Sequence, residues 1–157
     1  MKARLNYKKV APGASAAVLK LEEYVGSTGL ESSLLNLVKT RASQINGCAW
    51  CLDMHTKDAR AEGETEQRLY ALPAWRETPF YTSRERAALA WTEAVTLVAQ
   101  SGVPDGPYEE ARREFSEREL VDLTMAVIAI NSWNRLNVAF RTVPGDYVPR
   151  KRVSRLK

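Results

Sequence analysis

The chain has 157 residues, which is long enough to bury a hydrophobic core without disulfide staples. Its two cysteines exclude the multi-bridge framework of a small secreted domain, and no apolar run reaches the length that spans a bilayer. The net charge of +4 does not indicate nucleic-acid binding, because residues 150–157 hold five basic and no acidic side chains and the rest has a net charge near −1.

Apolar residues recur at spacings of three and four, which predicts an all-α fold of about six to seven helices. A first helix is predicted over residues 14–25, before the glycines at 26 and 29, and a second over residues 32–45. Asn46-Gly47 interrupts the pattern. A third helix is then expected to begin near Cys48, run to about residue 61 and end at Gly63.

A short helix over residues 64–72 is expected to end before Pro73. The Thr82-x-x-Glu85 spacing is typical of a capping box, and it predicts a helix that ends before Gly102. Residues 104–107, Pro-Asp-Gly-Pro, are expected to form a turn.

A helix over residues 108–115 precedes a second capping box, Ser116-x-x-Glu119, which begins the longest apolar stretch of the chain. We expect that helix to be buried on most sides. One stripe of it contains Leu120, Leu123, Val127, Ile130 and Asn134, and a neighbouring stripe contains Ala126, Trp133 and Asn137.

No linker or repeat divides the sequence, so we expect a single domain over residues 1–157. An N-terminal segment of about residues 1–13 and a basic tail at residues 148–157 are expected to lie outside its core. No signal-peptide pattern is present, so we expect a cytoplasmic protein with neither nucleic acid nor a membrane as partner.

Cys48, Cys51 and His55 lie on one face of the third predicted helix. They are the only cysteines and the only histidine of the chain, and Cys-x-x-Cys is typical of redox sites. Since the thiolate is the reactive species, something must lower the pKa of one thiol. The helix N-terminus favours a thiolate at Cys48, whereas His55 favours one at Cys51, so the sequence leaves the nucleophile open.

Two other interpretations compete with redox chemistry. The cysteines can be small buried hydrophobes, or they can bind zinc together with His55. A closed zinc site needs a fourth ligand, and Asp53 points away from this face. We therefore expect neither a metal nor a bound organic cofactor, only a redox-active disulfide.

The stretch LLNLVKTRASQINGCAWCLDMHTKDARAEGE, residues 34–64, closely resembles the AhpD-like alkylhydroperoxidase branch of the carboxymuconolactone decarboxylase family. The resemblance continues through RLYALPAWRETPFY, ERAALAWTEAVT and AINSWNRLNVAFRTVPGDY, and so covers residues 34–147. It implies an all-helical subunit that assembles into trimers or hexamers and reduces peroxides or disulfides. Turnover then needs an external reductant, which in the family can be a lipoyl-bearing protein or another dithiol donor.

The resemblance also implies that Cys51 attacks the peroxide, Cys48 resolves the product and His55 accepts the proton. The family relay includes a glutamate twelve residues before the first cysteine, where this sequence has Asn36, and Trp50 replaces a second histidine. An amide cannot take up a proton.

Glu93 is a candidate substitute for the missing carboxylate if the Thr82 helix packs against the Cys helix, whereas a solvated helix face is the favoured interpretation. Trp133 and Asn134 are candidates for a pocket wall and a polar anchor, or for core and interface contacts, and Trp50 is a second candidate wall of the cleft over Cys51. Two functional alternatives stay open: a non-enzymatic redox-sensing or partner-binding module, and a decarboxylase of the carboxymuconolactone type.

Overall fold

The computed structural model describes residues 2–149, and within them the chain forms nine α-helices, one 3₁₀-helix and no strand. The elements are α1 (Tyr7–Val10), α2 (Pro12–Ser27), α3 (Ser32–Ile45), α4 (Ala49–Ala61), α5 (Glu66–Ala71), the 3₁₀-helix (Leu72–Glu77), α6 (Ser83–Thr96), α7 (Val98–Ser101), α8 (Asp105–Glu114) and α9 (Glu117–Phe140). The prediction of an all-α fold is confirmed.

The turn between α3 and α4 places the cysteines. Gly47 has φ +63°, a left-handed conformation that glycine adopts without a Cβ penalty, and the chain then re-enters a helix at once. Cys48 becomes the N-cap of α4 and its Sγ accepts a hydrogen bond from the Cys51 N–H. Both cysteines therefore lie at the positive end of a helix dipole.

Both predicted capping boxes are present. Thr82 exchanges side-chain and backbone hydrogen bonds with Glu85 at the start of α6, and Ser116 does the same with Glu119 at the start of α9. Each box satisfies backbone N–H groups that would otherwise lack partners at the helix start. These caps define the two helices that cover α3.

The core lies between α3, α6, α8 and α9. Its largest cluster joins Leu34 and Val38 of α3 to Trp91 of α6 and to Leu123 and Val127 of α9. A smaller cluster contains both cysteines together with Ala42 and Ile130, and Trp50 and Trp133 pack against it. The cysteine pair is thus an extension of the apolar core, held where α3, α4 and α9 meet.

Two predictions about local structure are wrong. Residues 104–107 do not form an isolated turn, because α8 begins at Asp105 and Pro107 occupies its first turn, where a missing N–H costs no helical hydrogen bond. The N-terminal segment is also not wholly outside the core: Tyr7 of α1 is buried, and the Arg4 N–H bonds to the Phe140 carbonyl.

The prediction that α9 is buried on most sides needs correction as well. Val121, Ile128 and Val138 are 57%, 41% and 47% exposed, so α9 has an apolar solvent face in the single chain. Within residues 2–149, no helix is both long enough and apolar enough to cross a bilayer. Residues 150–157 of the predicted basic tail lie outside the described residues, and Val148 is exposed.

Candidate functional site

The two cysteines form a buried, reduced pair. Cys48 and Cys51 are both free thiols, 1% and 0% exposed, and their Sγ atoms lie 2.7 Å apart. A disulfide bond is about 2.05 Å long, so a small side-chain adjustment is enough to form one. The predicted proximity of the pair is therefore confirmed.

The pair shares its charge unequally. The hydrogen bond between the two sulfurs lowers the pKa of Cys48 to about 7, against the opposing effect of burial. The same hydrogen bond, followed by burial, raises the pKa of Cys51. One proton therefore leaves the pair near neutral pH while the second is retained, and the reduced centre carries a single negative charge between two sulfurs.

Asn137 and Tyr7 form a hydrogen-bonded chain that ends on Cys51. The Asn137 Nδ2 donates to Cys51 Sγ over 3.3 Å, and the Tyr7 hydroxyl donates to Asn137 Oδ1 over 3.0 Å. Neither residue was among the predicted site residues. The asparagines of α9 are visible in the sequence as polar residues in an apolar helix, but no local signal connects Tyr7 to a residue 130 positions later.

Asn134, a predicted polar anchor, is fully buried and belongs to a second amide network. It donates to Ser43 and accepts a hydrogen bond from Asn46, which also bonds to Asn131. Hydrogen bonding by Asn134 also lowers the pKa of Cys48. Asn134 therefore anchors α9 to α3 behind the cysteines and does not line the cavity described next.

Cys51 opens onto a cavity of about 330 Å³. The predicted wall residues Trp50 and Trp133 both line it, and Tyr147 stacks edge-on to Trp50 with ring centroids 6.4 Å apart. The remaining lining residues are Lys8, Leu19, Glu22, Lys39, Met54, His55 and Asp58. Cys48 instead borders a separate cavity of about 280 Å³ on the other side of Trp50.

His55 lines the Cys51 cavity as a neutral imidazole. Burial, followed by the nearby Lys39 charge, lowers its pKa to about 3. Burial thus makes His55 a weaker base than an exposed histidine, and its role as proton acceptor stays a prediction. Its Nε2 is buried and has no hydrogen-bond partner among the described residues.

Two further candidates lie elsewhere. Asn36 donates to Glu62 in a groove next to α5, away from the cysteine cavities. The Glu93 carboxylate is held by Arg41 and Arg76 and also accepts the Trp75 indole N–H, so it is a structural ion-pair centre. The structure therefore places neither residue in the Cys51 cavity, and the expectation that Glu93 replaces the missing relay carboxylate is corrected.

Asp58 of α4 lines the cavity, and so does a second carboxylate that sequence reasoning also missed, Glu22 of α2. Its Oε2 accepts a hydrogen bond from Lys39 Nζ over 2.6 Å, and their side chains are 23% and 14% exposed. Glu22 reaches the cavity because α2 packs against the other helices. No motif near the cysteines predicts that packing. Within residues 2–149, no three His, Cys, Asp or Glu side chains are grouped as a metal site requires.

Comparison with known proteins supports the fold and the family. The sequence profile of the carboxymuconolactone decarboxylase family matches residues 12–94. The uncharacterized protein YdfG of Bacillus subtilis is 43% identical over 139 residues, which cover 88% of this chain and 95% of YdfG. The uncharacterized protein YnjA of Escherichia coli is 26% identical over 110 residues, 70% of this chain and 60% of YnjA.

Among solved structures, ATU0492 of Agrobacterium tumefaciens superimposes with a TM-score of 0.90 at 49% identity, over 93% of this chain and all of that chain. ATU0492 is itself of unknown function and is provisionally assigned to AhpD antioxidant defence. The debrominase Bmp8 shares the fold at 20% identity, with a TM-score of 0.76 over 86% of this chain and 73% of Bmp8.

Proposed function

Because this chain belongs to the carboxymuconolactone decarboxylase family, we propose that it is an AhpD-like thiol peroxidase that cycles between a Cys48–Cys51 dithiol and a disulfide. The observation that carries the proposal is the 2.7 Å separation of two buried free thiols, of which Cys51 faces the 330 Å³ cavity walled by Trp50, Trp133 and Tyr147. A purely structural pair of cysteines has no need of that cavity.

Cys51 is proposed as the attacking thiol because its cavity is walled by aromatic rings and is large enough for an organic hydroperoxide. Its immediate proton acceptor is the Cys48 thiolate across the 2.7 Å hydrogen bond. Transfer of that one proton moves the negative charge from Cys48 to Cys51. This assignment replaces His55 with Cys48 as the base.

In the oxidative step, the Cys51 thiolate attacks the terminal hydroperoxide oxygen. The S–O bond forms, the O–O bond breaks, and the electron pair leaves on the alkoxide, which takes a proton from solvent to become an alcohol. Cys48 then attacks the sulfenic sulfur, and its proton leaves with the hydroxide as water. An external dithiol, such as a lipoyl group, reduces the resulting disulfide by exchange.

The test is steady-state peroxide consumption with dihydrolipoamide as reductant, using the serine variants as matched controls. We expect Cys51→Ser to abolish both turnover and the first peroxide reduction. In single-turnover measurements without reductant, Cys48→Ser should reduce one peroxide per chain and then stop, because no resolving thiol remains. A Cys51→Ser variant that keeps a stoichiometric burst would reverse the roles, and wild-type protein that consumes no peroxide would refute the peroxidase.

A further inference from the structure

A buried hydrogen-bonded chain connects the N-terminal helix to the attacking sulfur. Tyr7, Asn137 and Cys51 are 6%, 3% and 0% exposed, and the two bonds of the chain measure 3.0 Å and 3.3 Å. Buried polar groups are usually hydrogen-bonded, so the existence of the bonds needs no functional explanation. The functional question is which atom lies at the end of these hydrogen bonds, and that atom is Cys51 Sγ.

The two ends of the Asn137 amide have different partners. Its oxygen accepts the Tyr7 hydroxyl, which leaves the NH₂ group directed at Cys51. A neutral thiol is a weak acceptor, whereas a thiolate accepts a charge-assisted hydrogen bond. The amide therefore stabilises the anionic form of Cys51 more than the neutral form, and it favours the state in which the pair's negative charge lies on Cys51.

The position of Tyr7 is fixed by several contacts with the end of α9. Its ring packs against Phe140 with centroids 5.7 Å apart. The Arg4 N–H bonds to the Phe140 carbonyl over 3.0 Å, and the Arg4 guanidinium bonds to the Ala139 carbonyl over 2.9 Å. These contacts hold α1 against the end of α9, next to Asn137.

We propose that Asn137 is a catalytic residue that stabilises the Cys51 thiolate, and that Tyr7 is the positioning residue that holds its amide in the donating orientation. The proposal rests on the proposed function, because it needs Cys51 as the attacking thiol. It assigns a role to the N-terminal helix, and it explains why an amide and not a carboxylate occupies position 137: a second negative charge would repel the thiolate.

The decisive experiment titrates each thiol alone. In a Cys48→Ser background, iodoacetamide labelling of Cys51 is followed from pH 6 to pH 10, with and without Asn137→Leu. We expect Asn137→Leu to slow labelling roughly tenfold at neutral pH, with the two rates converging at alkaline pH, where the thiolate forms without help. In a Cys51→Ser background, Asn137→Leu should leave the pH dependence of Cys48 labelling unchanged.

Tyr7→Phe removes only the hydroxyl and keeps the test valid if Asn137→Leu fails to fold. We expect it to slow Cys51 labelling roughly threefold at neutral pH, since the amide can then rotate. Tyr24→Phe is the matched control: Tyr24 also donates to α9, to Asp122 Oδ1 over 2.6 Å, but has no contact with a cysteine. A purely structural role predicts similar effects from both tyrosine variants.

The outcomes separate this inference from the peroxidase. Unchanged Cys51 titration in both Asn137→Leu and Tyr7→Phe overturns the inference, even if wild-type protein reduces peroxide. An equal shift of Cys48 and Cys51 also overturns it, because the amide would then act on the fold and not on one sulfur. Shifted Cys51 titration in a protein that reduces no peroxide supports the thiolate contact and refutes the peroxidase.

Discussion

At the scale of single residues, burial controls the charge state of His55. A solvent-exposed histidine has a pKa near 6.5, whereas the enclosed His55 has a pKa of about 3. The unfolded chain therefore binds a proton that the folded chain does not bind when the pH falls below 6.5. The stability that His55 contributes is present above pH 6.5 and is lost as the pH falls towards 3.

This linkage gives a stability prediction. Between pH 6.5 and pH 5, His55 should lower the free energy of unfolding by about 1.1 kcal/mol per pH unit on average, with the slope approaching about 1.4 kcal/mol per unit near pH 5, where unfolding takes up almost one additional proton. His55→Gln should remove this slope, which urea unfolding at pH 6.5, 5.75 and 5 can measure. A wild-type protein and a His55→Gln variant with the same slope would contradict the neutral, buried imidazole.

The sequence correctly identified the site residues that lie within a few positions of one another along the chain. Cys48 and Cys51 are three residues apart, and a helix brings them together whatever the rest of the fold does. The same locality predicts that His55 lies on the same helix face as Cys51, and these two residues line one cavity, whereas Cys48 borders another. The pKa of His55 was not predictable, because that depends on the packing of α2 and α3 around it.

At the scale of elements, local sequence signals predicted where helices begin better than they predicted which other helices each one packs against. The bounds predicted for α3, residues 32–45, are those observed, and both capping boxes are present. The Pro-Asp-Gly-Pro segment was misassigned because a proline in the first turn of a helix resembles a proline in a loop. Glu22 and Tyr7 reach the site through packing between distant helices, which no short pattern records.

Gly47 is the element-scale position that can be tested directly. Its φ of +63° is unfavourable for any residue with a Cβ, although a Cβ there would meet no atom within 4 Å. We expect Gly47→Ala to cost about 1–2 kcal/mol of stability through backbone strain alone. Gly26→Ala is the control, because Gly26 lies inside α2 and a Cβ there also meets no atom within 4 Å. This substitution should stabilise the protein by up to about 1 kcal/mol. Chemical denaturation measures the free energy of unfolding of both variants. If both substitutions stabilise the protein, the predicted backbone strain at position 47 is contradicted.

At the scale of the whole molecule, α9 leaves apolar surface uncovered. Val121 and Ile128 are seven residues apart, lie on the same side of the helix and are 57% and 41% exposed. We propose that a homo-oligomer, a trimer or hexamer, covers this face. Light scattering coupled to size exclusion should then give a multiple of 17.6 kDa.

The double variant Val121→Glu/Ile128→Glu should shift this mass downwards, because two carboxylates cannot be buried without partners. Val10→Glu is the control, since Val10 is 72% exposed on α1. A wild-type monomer of 17.6 kDa with full activity would contradict the oligomer.

The central claim is that Cys48 and Cys51 form one redox centre, and intact-mass spectrometry after exposure to one equivalent of hydroperoxide tests it most directly. We expect each chain to lose about two mass units, to show no free thiol on alkylation, and to yield one peptide with an internal Cys48–Cys51 bridge. Dihydrolipoamide should restore both thiols. Two thiols that stay free after peroxide treatment, or bridges found only between chains, would contradict the account.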